Sequence, residues 1–445
     1  MSARPHQSPP VQLDPFSMNP ASAEASRISD DAAATEKHGN HLQGGGAGLT
    51  IHEKDSSRPG TGHGGYGNAS SNENVAAHEL TAPGDGYNGL VEPQAANLGA
   101  DPEKSARARL VLLGAFAVSV VSVGYTSSYG VFETYYLEVM LPNESASNLA
   151  WLGSFTLFCM FVGSFGTGVL MDRYGPQPLV IIGSIITVIA MFMTSLCTTY
   201  YQLFLAQALL LGIGIAFIFC PALVTLSLYF QKNRGLAMGV AVSGSSVGGV
   251  IWPIALTRLL REVGFGWTLR IVGFIMLGML IIASLTIRGP IRNGPRVPQP
   301  INLAPARNPV ILLQAFALFF IYLGLFTPLF YITAYTISLG LDTNMAFYMV
   351  AIFNAASFFG RIMPGFLADI YGPFNLMITS AASSAIICFC WTKATSIAGI
   401  VVFCIFFGFS SGAIVSLQSV CAVKAVKKEE FGTAVGVVMA IMSVA

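Results

Sequence analysis

Gly168-Val169-Leu170-Met171-Asp172-Arg173-Tyr174-Gly175-Pro176 returns as Gly365-Phe366-Leu367-Ala368-Asp369-Ile370-Tyr371-Gly372-Pro373, with six of nine positions identical at an offset of 197 residues. The same offset carries Gly235, Ala237, Gly239 and Val240 onto Gly432, Ala434, Gly436 and Val437. Two matches at a single offset mark an internal duplication. Each copy of the first stretch lies between two long apolar runs, so it reads as a tight polar turn between membrane helices in each half of a duplicated protein.

Composition requires a membrane. Hydrophobic residues make up 53% of the chain and charged residues 10%, with a mean hydropathy of +0.63, whereas soluble chains carry roughly 25% charged residues. The fold class expected is an all-α polytopic membrane protein. Runs long enough to span a ~30 Å apolar core fall near 110–132, 149–170, 178–197, 202–228, 235–256, 267–287, 310–335, 344–367, 374–391 and 396–418, with an eleventh starting at 432. Residues 1–103 hold 5 Lys plus Arg against 13 Asp plus Glu, all six histidines and no apolar run, and read as a disordered acidic tail. A first bundle is expected over 104–288 and a second over 309–445. The segment 289–308 between them, with five prolines and three arginines, reads as a linker that cannot form one helix. The seven cysteines show no metal-ligand or disulfide spacing.

Lys and Arg set the orientation. With the tail on the inside, thirteen basic residues fall on the inner side (among them Arg107, Arg109, Arg173, Lys232 and Arg234) and four on the outer (Arg258, Arg261, Arg270 and Lys393). The positive-inside rule therefore makes the tail and both repeated turns cytoplasmic. Asp172 and Asp369 stand where a carboxylate can cap the positive N-terminus of a neighbouring helix. With Gly175 and Gly372 they form a candidate conformational switch. Gly235, Gly239, Gly244 and Gly248, spaced at helical intervals, form a candidate helix-packing face.

Three features together resemble the major facilitator superfamily: the glycine-acid-glycine turns, the stretch Tyr229-Phe230-Gln231-Lys232-Asn233-Arg234-Gly235-Leu236-Ala237 with its following glycines, and Asn354, Ser357, Gly360-Arg361 and Pro364-Gly365. Within it the second and third features resemble the monocarboxylate transporter family, especially its fungal members. The resemblance implies two six-helix bundles and a role for the turns in exchanging inward-open and outward-open states. It also implies carriage of short monocarboxylates or, as in some fungal members, riboflavin. Where the proton-coupled animal branch has a helix-one lysine and a helix-eight aspartate, this chain has Ser127 and Ser357, which argues against proton-coupled lactate-type transport. With only fourteen residues of the eleventh helix present before Ala445, the second bundle is expected to be truncated and the Asp172 turn to lack the helix it should cap.

Arg361 lies eight residues before Asp369, about 12 Å into the membrane at ~1.5 Å per residue. An arginine so deep calls for a cavity or a partner. Asn354, Ser357 and Arg361 recur at i, i+3 and i+7 and are candidate substrate-binding residues, with Arg361 able to grip a carboxylate through two N–H groups. Tyr125 and Tyr129 in the first helix and Tyr331 in the seventh supply candidate aromatic walls. No carboxylate or histidine falls in mid-membrane, so a proton relay is not expected. No nucleotide loop, nucleophile triad or metal cluster is present in the sequence, so no catalytic residue, cofactor or metal is expected and an enzyme is disfavoured.

These readings converge on alternating-access transport of a small organic solute in the plasma or vacuolar membrane. The expected partners are lipid, the solute and a cytoplasmic protein recognising the acidic tail, with no nucleic acid. A non-transporting nutrient sensor is the alternative. The orientation has a direct test. Asn143, in Asn143-Glu144-Ser145, is expected to accept a glycan in a eukaryotic secretory pathway and Asn68, in Asn68-Ala69-Ser70, to remain bare. A glycan on Asn68 would invert the topology.

Overall fold

A computed structural model describes residues 102–290, 302–340 and 343–445, so the six tail histidines and most of the linker lie outside the described residues. Among the described residues the long elements are all helical. α1 spans Ala106–Met140, α2 Ala146–Tyr174, α3 Pro176–Thr194 and α4 Tyr200–Tyr229. The stretch Arg234–Thr286 is broken at Gly264, whose φ of 75° and ψ of 175° end one helix and start another. Residues 234–263 are α5 and 265–286 are α6. The second half contributes α7 (Pro309–Ser338), α8 (Thr343–Tyr371), α9 (Pro373–Cys390), α10 (Ile397–Lys424) and α11 (Phe431–Met442).

Two boundaries differ from the sequence reading. α5 accommodates Pro253 in its interior and runs past residue 256 to Gly264, with Arg258 and Glu262 paired at i, i+4 on its exposed face. α1 starts earlier and ends later than 110–132. Ser105 caps its N-terminus by accepting from the Ala108 N–H at 3.1 Å; a π-helical turn lies inside it at Val120–Gly124, and another at Tyr136–Met140 extends its far end. The first of these turns frees a backbone carbonyl, and the Trp252 indole N–H from α5 donates to Val120 O at 3.0 Å.

The repeated turns are as short as helix connections can be. Gly175 (φ 79°) ends α2, and Pro176 is the first residue of α3; Gly372 (φ 92°) ends α8, and Pro373 opens α9. A positive φ suits glycine, and proline at the first helical position gives up an N–H that has no intrahelical partner. This accounts for Gly-Pro in both copies. We call the membrane face bearing these turns the turn side.

Large apolar side chains point outward along the helices, including Ile254 at 66% and Phe389 at 83% exposure, as expected where lipid is the solvent. The helix contacts use small residues instead. A methyl group on Gly244 would overlap the Phe116 carbonyl, and one on Gly248 would lie 2.9 Å from Gly124 Cα, so these glycines pack α5 against α1. Gly235 and Gly239 face another way: a methyl on either would overlap the carbonyl of Gly365 or Arg361 in α8. One helix thus uses two glycine pairs for two partners.

Across the molecule, Gly168 of α2 opposes the Gly432 carbonyl of α11, and Gly436 opposes the Ser164 carbonyl. Shifted by 197 residues, these contacts become Gly365 with Gly235 and Gly239 with Arg361. The duplication therefore repeats the seam between the halves as well as the helices. Gly365→Ala should overpack this seam at a cost of about 1–3 kcal/mol. Gly130→Ala, which points into open space, should be neutral. Thermal unfolding of both variants in detergent checks this; equal midpoints would mean the halves are not held in backbone contact.

Candidate functional site

On the turn side, two carboxylates reach across the seam. Asp369 of α8 accepts from the backbone N–H groups of Gly235 at 2.7 Å and Leu236 at 2.9 Å, the first turn of α5. Asp172 of α2 accepts from Gly432 N–H at 2.8 Å, Thr433 N–H at 2.7 Å and the Thr433 hydroxyl at 2.7 Å, the first turn of α11. Each contact satisfies donors that no intrahelical carbonyl can reach and places a negative charge on a helix dipole, worth up to ~2 kcal/mol when partly buried. The expectation that Asp172 would lack its neighbour is overturned, because capping requires only the first turn of α11, and that turn is present.

A third carboxylate was missed in the sequence. Glu103, read there as the last tail residue, lies in a short 3-10 turn, Pro102–Lys104. It accepts from the backbone N–H groups of Gln231 (2.7 Å) and Lys232, and from Asn233 Nδ2 at 3.0 Å. Partial burial opposes its ionisation, but the donors from Lys232, Gln231 and Asn233 outweigh this and hold the carboxyl below its usual range. The only signal available was an acid just ahead of the first apolar run. The linker also docks: Asn302 Nδ2 donates to Glu430 Oε1 at 2.8 Å, and Ala304–Arg307 forms a 3-10 turn.

Deeper in the seam Arg361 is buried, at 8% exposure. Its Nη1 donates to Ser245 Oγ at 2.8 Å, to Ser246 Oγ and to Val242 O at 3.4 Å, all in α5, while its Nε lacks a partner. Asn354 is on the same side, its amide oxygen against Gly249 of α5. Ser357 is not: it packs against Gly412 of α10, inside the second half. The i, i+3, i+7 spacing covers an arc wide enough for the ends to face the seam and the middle residue to face a neighbour within the half.

The predicted tyrosine walls do not assemble around Arg361. Tyr125 is buried edge-on to Trp252, and its hydroxyl has no partner. Tyr129 donates to Leu149 O at 2.6 Å, tying α1 to α2. The space among Tyr125, Thr126, Tyr129, Phe132, Thr156 and Gln207 is about 10 Å³, room for about one water molecule and not for an organic solute. Tyr331 is 62% exposed and is not brought together with the others.

A different polar group does approach Arg361. Tyr322 of α7 lies within electrostatic reach of its guanidinium. The Tyr322 hydroxyl donates to Gln418 Oε1 of α10 at 2.9 Å, and Gln314 Nε2 donates to Gln418 O at 2.8 Å, leaving the buried Gln314 Oε1 without a partner. The Tyr322 ring meets Phe161 of α2 edge to face at 6.3 Å. A scan for titratable groups passes over buried amides, which is why Gln314 and Gln418 were missed. Among the described residues no group of metal ligands is present.

The fold and its paired caps define a multi-pass membrane protein built from two equivalent halves that meet at a seam. The Major Facilitator Superfamily profile matches residues 110–445, and the chain belongs to that superfamily of membrane transport proteins. An agnestins efflux protein of Paecilomyces divaricatus is 53% identical over 343 residues, covering 77% of this chain and 79% of the relative. An aspyridones efflux protein of Emericella nidulans is 42% identical over 356 residues, covering 77% and 70% respectively. Among solved structures, the proton:xylose symporter XylE superposes with a TM-score of 0.60 at 15% identity, covering 76% of this chain and 86% of that one. These relatives lend no support to the sensor alternative.

The Glu103 contact has a definite pH dependence. A carboxyl whose folded pKa is lowered stabilises its contact at pH values above its unfolded pKa and loses it as pH falls through the folded one. Amide exchange at residues 231–233, corrected for the intrinsic effect of pH, should remain slow through the ordinary carboxylate range and quicken only below it. Glu103→Gln should be fast throughout. Release near pH 6 would assign the contact to another group.

Proposed function

We propose that this protein exports a small amphipathic organic acid by alternating access. The observation that carries the reading is the pair of equivalent caps, Asp172 on α11 and Asp369 on α5. Together they pin the halves on one side and must both be exchanged for water when that side opens. With the positive-inside count, the turn side is cytoplasmic, and the described arrangement is the one closed to the cytoplasm. Export, as opposed to uptake, is supported by the relatives named for efflux of agnestins and aspyridones.

The seam supports the solute class. Arg361 offers a buried Nε–H in a site whose other polar groups, Tyr322, Gln314, Gln418, Ser245 and Ser246, are neutral. Such a group binds an anion strongly because the alternative is an uncompensated charge. Phe161 and Tyr322 supply an aromatic surface for an organic body. The stretch from Tyr229 to Gly248 favours the monocarboxylate transporter branch. Ser127 and Ser357, with no carboxylate in mid-membrane, favour facilitated movement or movement of the protonated acid over a dedicated proton relay.

Cells expressing the chain and loaded with a panel of fluorescent aromatic acids and their methyl esters provide the test. Acids should leave faster than in empty-vector cells, and esters should not. Arg361→Lys, which keeps the charge but loses the planar fork, should slow export at least about tenfold while membrane abundance holds. Equal export by the parent, Lys and Ala forms would reject the role of Arg361, and absence of export for every panel member would reject the solute class.

A further inference from the structure

Residues 197 apart hold equivalent places in the two halves, and one such pair meets face to face. The Arg234 guanidinium lies over the Phe431 ring, 5.3 Å from its centroid. Equivalent positions can touch each other only near the axis relating the halves, so this contact marks where the two turn-side ends converge. Arg234 opens α5, one residue before the N–H groups held by Asp369. Phe431 opens α11, one residue before those held by Asp172. The pair therefore sits between the two caps and belongs to both.

The charges converge on the same point. Arg234 is half-buried, and its Nε donates to Phe230 O at 3.2 Å, which fixes the plane of the guanidinium. Two carboxylates act on it, Asp369 from the second half and Glu103 from the first, and these two also act on each other. Between like charges on opposite sides of the seam, the Arg234 guanidinium supplies compensation. The partly buried setting strengthens both the attraction and the repulsion that would replace it.

We propose that Arg234, stacked on Phe431, joins the Asp172 and Asp369 caps into one latch, so that the two release together. The duplication explains why the pair is asymmetric. Two arginines at the axis would repel and two phenylalanines would leave Glu103 and Asp369 uncompensated, whereas one of each gives a cation on an aromatic face. This does not depend on which solute is carried.

Hydrogen exchange on the full chain in lipid nanodiscs, read at residues 230–238 and 429–438, tests the proposal. Arg234→Gln should quicken exchange about fivefold, the size of one cation–π contact, in both segments, although the α11 segment carries no substitution. Adding Glu103→Gln to Arg234→Gln removes one of the two repelling carboxylates and should return the α11 segment toward the parent rate. An effect confined to residues 230–238, or a double variant indistinguishable from the single one at α11, would overturn the proposal. Should Arg234→Gln fail to fold, Phe431→Leu read at residues 230–238 replaces it: faster exchange there supports the joined latch, and the parent rate overturns it.

Discussion

A helix that begins inside a membrane protein exposes N–H groups that neither lipid nor its own turns can satisfy, and the turn side of this protein is organised around two such helix starts. α5 and α11 each receive a carboxylate from the opposite half, Asp369 and Asp172, at 2.7 to 2.9 Å. The glycines beside them let backbones approach until carbonyls nearly touch α-carbons. Neither feature works alone. Without the close approach a short aspartate could not reach the first turn, and without the carboxylate the approach would bury unpaired donors.

The same logic sets what lies deeper. The Arg361 guanidinium is held across the seam by hydroxyls and a carbonyl of α5, with no carboxylate among its hydrogen-bond partners. Neutral acceptors satisfy some of its donors but do not cancel its charge, which is the basis of the proposed anion site. Tyr322, Gln418 and Gln314 form a hydrogen-bonded chain beside it in which one acceptor is unused. On the proposed function, a ligand that brings both a negative group and a hydrogen-bond donor would match this arrangement. The serines that hold Arg361 belong to the contact between α5 and α8.

Much of this was legible in the chain. The 197-residue offset locates the turns, the halves and the pairing of Asp172 with Asp369. The Gly-Pro ending of each copy fixes a helix stop and a helix start, because positive φ and a missing N–H are local properties of those residues. Hydropathy fixes the spans to within a turn or two, missing chiefly the reach of α5 to Gly264 and of α1 to Met140. Arg361 stood out because a lone charge in an apolar run has few explanations.

What the sequence could not determine was partnership. Nothing in the spacing of Asn354, Ser357 and Arg361 says that the middle residue faces α10 and the outer two face α5. Nothing in the tyrosine pattern says that Tyr129 binds a carbonyl of α2 while Tyr322 joins Gln418. Periodicity reports which residues share a face of one helix; which neighbour covers that face depends on how the halves pack. Glu103 shows the same limit in a charge, for composition assigned it to the tail and only its donors, 128 to 130 residues away in the chain, make it part of the fold. The sequence by itself determined that two equivalent halves exist and where their repeated turns fall, since those are matters of local geometry and repetition. The tertiary structure decided what the capping charges, the glycines and Arg361 touch, since contacts across the seam depend on distances that no local rule contains.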